Sequence, residues 1–540
     1  MKLINAVRYT RVADAGATNS NPQQENPNSI TVGTDVAAPG MSGELVGSAS
    51  SSTGGRCSTR RGCTRHVDTP PLVHDSLRQG NPTVGAGGQG LNTPVPPLDN
   101  GTVNPRGDDT HVSGTTSKND TGAPLSVPDS VHAVHIDPAA VTHDDNLIIK
   151  GDNLVGLRWM LEEGGYRGKV KCIYIDPPYF FTRHKSKLAY NSNFRKEDWL
   201  PFLKERLTLA RELLSDDGSF FAQISDQGVG ELLVLLKEIF GERNFVNMIT
   251  TRTKSTSGFA TVNKGLFNAA EYILVFAKNR QKWQCNNLYA PAEWDDTYRH
   301  LVENPDDHPS AWRITTIAEH LATKHGYDTA RAMRKTLGTQ KVRDMEARYA
   351  TTHPNKVFRL NQIRDNAGAT IANTRDESKR NPHTVYTVPR AGHYDVYIFR
   401  GREMAFYERK LRMIDGKLTP AVKMSNIWTD VSYDGISPEG GVQLRGGKKP
   451  ERLMRRILQL ATNEGDLVVD FFLGSGTTAA VAHKMGRKYI GIEQMDYIKN
   501  ITTQRLINVI GGDTTGISKK QGWEGGGAFT YAELAEVDAD

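Results

Sequence analysis

LIIKGDNLVGLRWMLEEGG (147–165), running on into VKCIYIDPPY (170–179), decides the fold. LIIK (147–150) is a continuous apolar run and reads as a buried strand. Leu154, Leu157 and Leu161 then recur at helical spacing, and VKCIYI (170–175) reads as a second buried strand. Continuous apolar runs alternating with helical patterns mark a parallel sheet covered on both faces. Working outward, Leu203, Leu207, Ala210 and Leu214 line one face of a helix, and Asp216-Asp217-Gly218 is expected to stop it before a strand SFFAQI (219–224). A further helix carries Leu232, Leu235, Leu236 and Ile239, and YILVFA (272–277) is another strand. Residues 141–280 thus read as half of an α/β domain.

From 281 to 440 Pro, Asn, Asp, Arg and aromatic residues mix without sustained periodicity beyond a helix predicted near 329–349, so this stretch reads as an insertion. The α/β texture resumes over 441–510. It brings a helix through Leu453, Ile457 and Leu460, the strand LVVDFF (467–472), a helix from Thr477, the strand YIGIE (489–493) and a last helix from Ile498 to Ile510. The two halves are expected to complete one sheet. Residues 511–540 form a glycine-rich C-terminal tail with Trp523, Phe529 and Tyr531.

A chain of 540 residues exceeds one ordinary core. Of its 42 aromatic residues only Tyr9 falls within the first 140. That segment is rich in Ser, Gly, Thr, Pro and Asn, which gives too little apolar burial to offset chain entropy, so residues 1–140 are expected to be a disordered tail. No apolar run approaches the ~20 residues of a membrane span, and MKLINAVRYT has no apolar secretory core. Cys57, Cys63, Cys172 and Cys285 are too scattered for a disulfide framework or a zinc site, which predicts no metal and a reducing, cytoplasmic setting. The net charge of +6 permits a nucleic-acid partner without requiring one.

The strongest chemical signal is Asp176-Pro177-Pro178-Tyr179, at the carboxyl end of a predicted parallel strand, where open α/β sheets place their ligand crevices. Two prolines fix the backbone and remove two N–H donors, so the Pro177 carbonyl and the Asp176 carboxylate can present acceptors side by side. Such a pair suits the two hydrogens of an exocyclic amine, whose delocalised lone pair needs localising before it can attack. Tyr179 and Phe180 offer flat faces to an extruded base. The plainer reading is a turn after a strand with a capping carboxylate.

The second signal, DFFLGSGTT (470–478), is a strand running into a glycine turn and a helix that begins at Thr477. It lacks the lysine of a phosphate loop and the third glycine of the dinucleotide fingerprint. Glu493 ends the next strand, placed to take both hydroxyls of a ribose. Strand, glycine turn, helix, strand and acid in that order point to a nucleoside-containing cofactor. Asp152, after the first strand, is a third candidate acid or, equally, a helix cap.

These residues resemble the amino-methyltransferases of DNA, in the class whose catalytic motif precedes the cofactor motif. The resemblance sharpens to the modification subunit of type III restriction–modification systems through GDNLVGL (151–157), IYIDPPY (173–179), EYILVFAKN (271–279), GGKKPERL (446–453), GSGTTAAVAHKMGRKYIGIEQMDYI (474–498) and GGGAFTYAEL (525–534). It implies a seven-stranded, mostly parallel, doubly wound S-adenosylmethionine-dependent methyltransferase sheet with circularly permuted motif order. It also implies that Asp176, Pro177, Pro178 and Tyr179 hold a flipped adenine by its N6 amine. Phe472, Gly474, Gly476 and Thr477 would line the methionine part of S-adenosylmethionine, Glu493 would bind its ribose, and Asp152 would lie on its adenine side. Phe471 departs from the family, which usually has proline there.

The implied substrate is double-stranded DNA, at the nucleoid, and the implied partners are a restriction subunit carrying helicase and nuclease, and a second copy of the chain. The insertion, 281–440, would be the target-recognition domain, with Arg331, Arg334, Lys335, Lys341, Arg343 and Arg348 as a basic stretch for DNA, or otherwise a solvated helix face. The alternatives are cytosine-N4 methylation and a DNA-binding specificity subunit that has lost catalysis.

Overall fold

The structure is a computed structural model that describes residues 1–12, 125–179, 195–254, 266–444 and 446–535. Its first half runs β1 (Lys2–Arg11), β2 (Val131–His135), β3 (Leu147–Lys150), α1 (Asn153–Glu162), β4 (Val170–Ile175), α2 (Lys196–Leu213), β5 (Leu214–Ile224), α3 (Val229–Phe240), β6 (Phe245–Arg252) and β7 (Ala270–Ala277). The inserted region holds β8 (Tyr289–Pro291), β9 (His300–Val302), β10 (Ile314–Thr316), α4 (Ile317–Lys324), α5 (Ala330–Leu337), α6 (Thr339–Thr352), β11 (Val357–Gln362), α7 (Ala369–Arg380), β12 (Tyr386–Val388), β13 (Val396–Phe399), β14 (Arg402–Phe406), β15 (Leu411–Ile414) and β16 (Lys417–Lys423). The chain returns through β17 (Ile427–Trp428), α8 (Glu451–Ala461), β18 (Leu467–Asp470), α9 (Thr477–Lys484), β19 (Lys488–Glu493), α10 (Thr503–Ile510), α11 (Ser518–Gln521) and β20 (Ala528–Ala535).

The two halves do form one sheet, in the order β17-β6-β7-β5-β4-β18-β19-β3-β20-β1-β2. Its middle seven strands, β6 to β3, are the expected doubly wound core, parallel except at β7. Alternate residues feed opposite faces. Ile173 and Ile175 join the core covered by α1, α2 and α3, whereas Cys172 and Tyr174 join the core covered by α8, α9 and α10. Each half of the chain therefore covers one face with its own helices, and β18 and β19 are threaded between β3 and β4.

The sheet extends beyond the seven expected strands, by β20, β1 and β2 at one edge and by β17, from the end of the inserted region, at the other. Part of the expected tail is sheet: β1 pairs antiparallel with β20 and with β2. Tyr9 is 6% exposed and stacks on Phe529 with ring centroids 4.9 Å apart and 12° between planes. The C-terminal tail likewise contributes β20, parallel to β3. The remainder of the expected tail, 13–124, lies outside the described residues. Because truncating a buried aromatic costs about 3–5 kcal/mol, Tyr9→Ala should lower unfolding free energy by about that much in a denaturant titration. An unchanged midpoint would mean that β1 is dispensable.

Two local expectations also change. The Asp216-Asp217-Gly218 turn does not separate a helix from a strand. β5 begins at Leu214, opposite Val170, and the turn is a bulge before Ser219 pairs with Cys172. The helix expected over 329–349 is two, because Gly338 takes φ +86° between α5 and α6. The inserted region has its own sheet, β10-β9-β11-β14-β13-β12, antiparallel throughout, and a smaller one, β15-β16-β8.

Candidate active site

β4, β18 and β19 are parallel neighbours, so their carboxyl ends lie side by side and bring Asp176, Asp470 and Glu493 to one crevice. This is the point where strands of the second half enter the first, the position at which open α/β sheets bind ligands. Asn153, Tyr174, Pro178, Phe202, Lys449 and Phe472 are among the other lining residues.

On the catalytic side, Asp176 Oδ1 accepts the Tyr179 hydroxyl at 2.9 Å, and Oδ2 lies 2.7 Å from Lys449 Nζ. The Trp199 indole donates to the Pro178 carbonyl at 2.7 Å, which pins the Pro-Pro turn to α2. Lys449 also stands 3.7 Å from Glu271, whose carboxylate accepts from Gln223 Nε2 at 2.5 Å. Gln223 is fully buried, donates to the Tyr433 hydroxyl at 2.8 Å and accepts from the Tyr174 hydroxyl at 2.7 Å. Phe180 lies outside the described residues.

On the other side the glycine turn is held from three directions. Gly474, at φ +55°, donates its N–H to Glu493 at 2.9 Å and its carbonyl accepts from the Thr502 hydroxyl at 2.7 Å. Thr502 can reach it because the expected last helix opens with a π-helical turn over Ile498–Thr502. Gly476, at φ +78°, starts α9, and a Cβ there would stand 2.9 Å from Thr502 Cγ2. Thr477 donates to the Lys449 carbonyl at 3.3 Å and accepts from Arg505 at 2.8 Å. Arg505 in turn pairs with Glu451 at 2.8 Å, which Lys484 also meets at 2.9 Å, all three without exposed side-chain area. Removing one member of such a buried set leaves an uncompensated charge in the interior, which is strongly destabilising.

Phe471 is fully buried; its ring packs 5.2 Å from Phe472 and its carbonyl accepts from Asn153 at 2.7 Å. Pro177, Tyr179, Gly476 and Asp152 stand beside the crevice and are not among its lining residues. Asp152 caps α1 through the N–H groups of Leu154 and Val155 and pairs with Arg206 at 3.1 Å, while its neighbour Asn153 lines the crevice.

Asp470 accepts from Thr478 at 2.5 Å and from the Phe472 N–H at 3.0 Å, and burial pushes its carboxyl up to about 7. Folded Asp470 then holds a proton that the unfolded chain has released, so this group lowers stability progressively from about pH 4 to about pH 7, by about 1.4 kcal/mol per pH unit. Asp470→Asn should flatten that slope, matching wild type at pH 4 and exceeding it at pH 8 in thermal melts. Parallel pH curves for the two proteins would exclude it.

The basic stretch is divided. Arg334 pairs with buried Glu346 at 3.1 Å and Arg343 with Asp296 at 3.6 Å. Arg331, Lys335, Lys341 and Arg348 are exposed on α5 and α6. Among the described residues no group of three His, Cys, Asp or Glu side chains could hold a metal ion, and no helix is long and apolar enough to cross a membrane.

A doubly wound sheet with this acidic, glycine-turned crevice defines a class, the α/β enzymes that use a nucleoside cofactor. Within that class the chain belongs to the DNA methylase family, whose profile matches residues 170–504. It is 36% identical over 415 residues to the probable type III restriction-modification enzyme HindVI Mod subunit of Haemophilus influenzae, an alignment covering 73% of this chain and 54% of that protein. It is 28% identical over 368 residues to the type II methyltransferase M.EcaI of Enterobacter cloacae, covering 67% and 69%. With the type III restriction-modification enzyme EcoPI Mod subunit of Escherichia phage P1 it shares 27% over 395 residues, covering 65% and 56%. The chain thus spans about half the length of the Mod subunits it matches.

Proposed function

We propose that the chain transfers a methyl group from S-adenosylmethionine to the N6 amine of an adenine flipped out of double-stranded DNA, as the modification component of a type III-like restriction–modification system. The observation that carries this reading is the meeting of the Asp176–Tyr179 turn with the Gly474 turn and Glu493 in one crevice. The cofactor fits the residues present. A Cβ at Gly474 would find nothing nearer than the Gly447 carbonyl at 3.8 Å, so the missing side chain leaves room against the backbone, and Phe472 supplies an apolar wall. Glu493 would take the ribose hydroxyls, and Gly474, Gly476 and Thr477 would shape the methionine end. When bound, S-adenosylmethionine supplies an activated methyl group.

The chain's own residues act on the amine. Asp176 would accept one of its hydrogens, the Pro177 carbonyl would accept the other, and Tyr179 would give the base a face to stack on. With both hydrogens held, the nitrogen lone pair would be freed from delocalisation into the ring, and the proton that the methylated amine gives up would leave through Asp176 or water. The inserted region, 281–440, would read the DNA sequence, and a restriction subunit or a second copy would dock elsewhere. Such an enzyme would work on DNA at the nucleoid.

Long-read sequencing of DNA from cells that express the chain tests base and site together. N6-methyladenine at one sequence motif is the expected result. N4-methylcytosine would transfer the assignment to the cytosine-N4 enzymes, and unmodified DNA would leave a binding subunit. For the DNA face, each phosphate-neutralising residue contributes about 0.9 to the slope of log affinity against log salt. Replacing exposed Arg331 and Lys335 by Ala should therefore flatten the slope by about one to two units, whereas Arg334, engaged by Glu346, should change it little. An unchanged slope for the first pair would return them to a solvated helix face.

A further inference from the structure

Lys449 takes no part in the roles derived above, yet it joins the two halves of the crevice. Its main chain belongs to the cofactor side, where its carbonyl accepts from Thr477. Its ammonium crosses to the catalytic side, 2.7 Å from Asp176 and 3.7 Å from Glu271, with only 14% of the side chain exposed. The titratable groups facing Asp176 come from five directions: Tyr179 on its own turn, Tyr174 on β4, Glu271 on β7, Asp470 on β18, and Tyr433 with Lys449 on the segment between β17 and α8. Lys449 is the cation of that set.

An acceptor for an amine hydrogen must be ionised, because a protonated carboxyl turns one oxygen into a donor. The surroundings of Asp176 work against ionisation. Burial pushes its carboxyl up and Glu271 adds to the push, while the Lys449 ammonium pulls the other way. Burial alone would push the Lys449 ammonium down, but the neighbouring Asp176 and Glu271 carboxylates hold it well above the ordinary lysine range, so the cation persists.

We propose that Lys449 is the positioning residue that holds Asp176 in its acceptor form, without itself touching the transferred methyl group. This rests on the methyltransferase reading given above. An opposite charge at this range moves a carboxyl by about 1–3 pH units, which sets the size of the effect.

The test uses the full chain carrying Lys449→Met, with Lys449→Gln should the Met variant not fold, and Lys449→Arg as the charge-keeping control. Infrared titration follows the protonated-carboxyl band, with Asp176→Asn added to each variant so that Asp470 is subtracted. Transfer of tritiated methyl groups to unmethylated bacterial DNA is measured across pH. Lys449→Met should gain an Asp176-dependent carboxyl band at neutral pH, and the acid limb of its turnover should move up by about 1–3 pH units, a tenfold or greater loss below the limb. Lys449→Arg should keep the wild-type band and limb. An unmoved limb together with no Asp176-dependent band in the Met or Gln variant would overturn the proposal. If the wild-type chain methylates no DNA, the methyltransferase reading fails, and the infrared arm still decides whether Lys449 sets the state of Asp176.

Discussion

Asp176→Ala should bind S-adenosylmethionine and DNA and yet transfer methyl groups at least about 10²–10³ times more slowly than wild type. The amine hydrogen becomes a stronger donor as nitrogen gives up its lone pair, so the contact with Asp176 strengthens on the way to the transition state and contributes little to ground-state binding. Turnover should fall and Kd for both ligands should stay within a few-fold. The loss should exceed that of one neutral hydrogen bond, because the deletion also strands Lys449, which is left with Glu271 at 3.7 Å as its carboxylate partner. Asp176→Asn keeps the shape and a carbonyl acceptor, so it should fall between Ala and wild type. Single-turnover transfer of a tritiated methyl group, with cofactor binding by calorimetry on the same preparations, separates the two quantities. Full turnover in Asp176→Ala would remove the residue from the chemistry.

What could be read in the sequence was what continuous apolar runs announce. β4, β5 from Ser219 onward, β7, β18 and β19 are largely buried on both faces, so their sequences are nearly unbroken hydrophobic words, and the acid that follows β4 or ends β18 or β19 must fall at the same sheet edge. That logic brought Asp176 and Glu493 together across more than 300 residues of chain. For Asp152 a strand-end acid and a helix cap look alike in sequence, and the structure shows the cap.

β1 was hidden for two reasons. Leu3 and Ala6 face one core three residues apart, since Asn5 takes φ +50° and the register shifts between Ile4 and Val7, while Tyr9 faces the opposite core. Composition averaged over 140 residues also dilutes a ten-residue strand. The inserted sheet is built of short antiparallel strands, most too brief to show alternation. Lys449 and Glu271 lay within stretches that resembled the family, but their pairing with Asp176 follows from strand order, which no spacing along the chain encodes. Arg334 is the converse case: its partner Glu346 sits on the next helix, and only the turn at Gly338 brings the two together.

Gly474→Val is the counterpart of the Asp176 variant, with binding lost first. At φ +55° the position suits glycine, and a β-branched side chain there is strained wherever it points. The strain cannot relax freely, because the Gly474 N–H is committed to Glu493 and its carbonyl to Thr502. If the backbone rotates to accommodate Val, one or both contacts break, and Glu493 loses one of the N–H donors, Gly474, Met495 and Gln494, that hold its carboxylate. If the backbone holds, the Val methyl groups stand in the space beside Phe472 where the proposed function puts the cofactor. Either route weakens S-adenosylmethionine binding while leaving α5 and α6, on the inserted region, unchanged. A loss of two orders of magnitude or more in cofactor affinity is expected, corresponding to about 2.7 kcal/mol, with DNA affinity measured without cofactor close to wild type. Gly491→Ala is the control for simple destabilisation: its Cβ would clash with the buried Leu473 side chain, so it should lower the melting temperature as well as cofactor binding. Wild-type cofactor affinity in Gly474→Val, measured by calorimetry, would show that the glycine turn is not where S-adenosylmethionine binds.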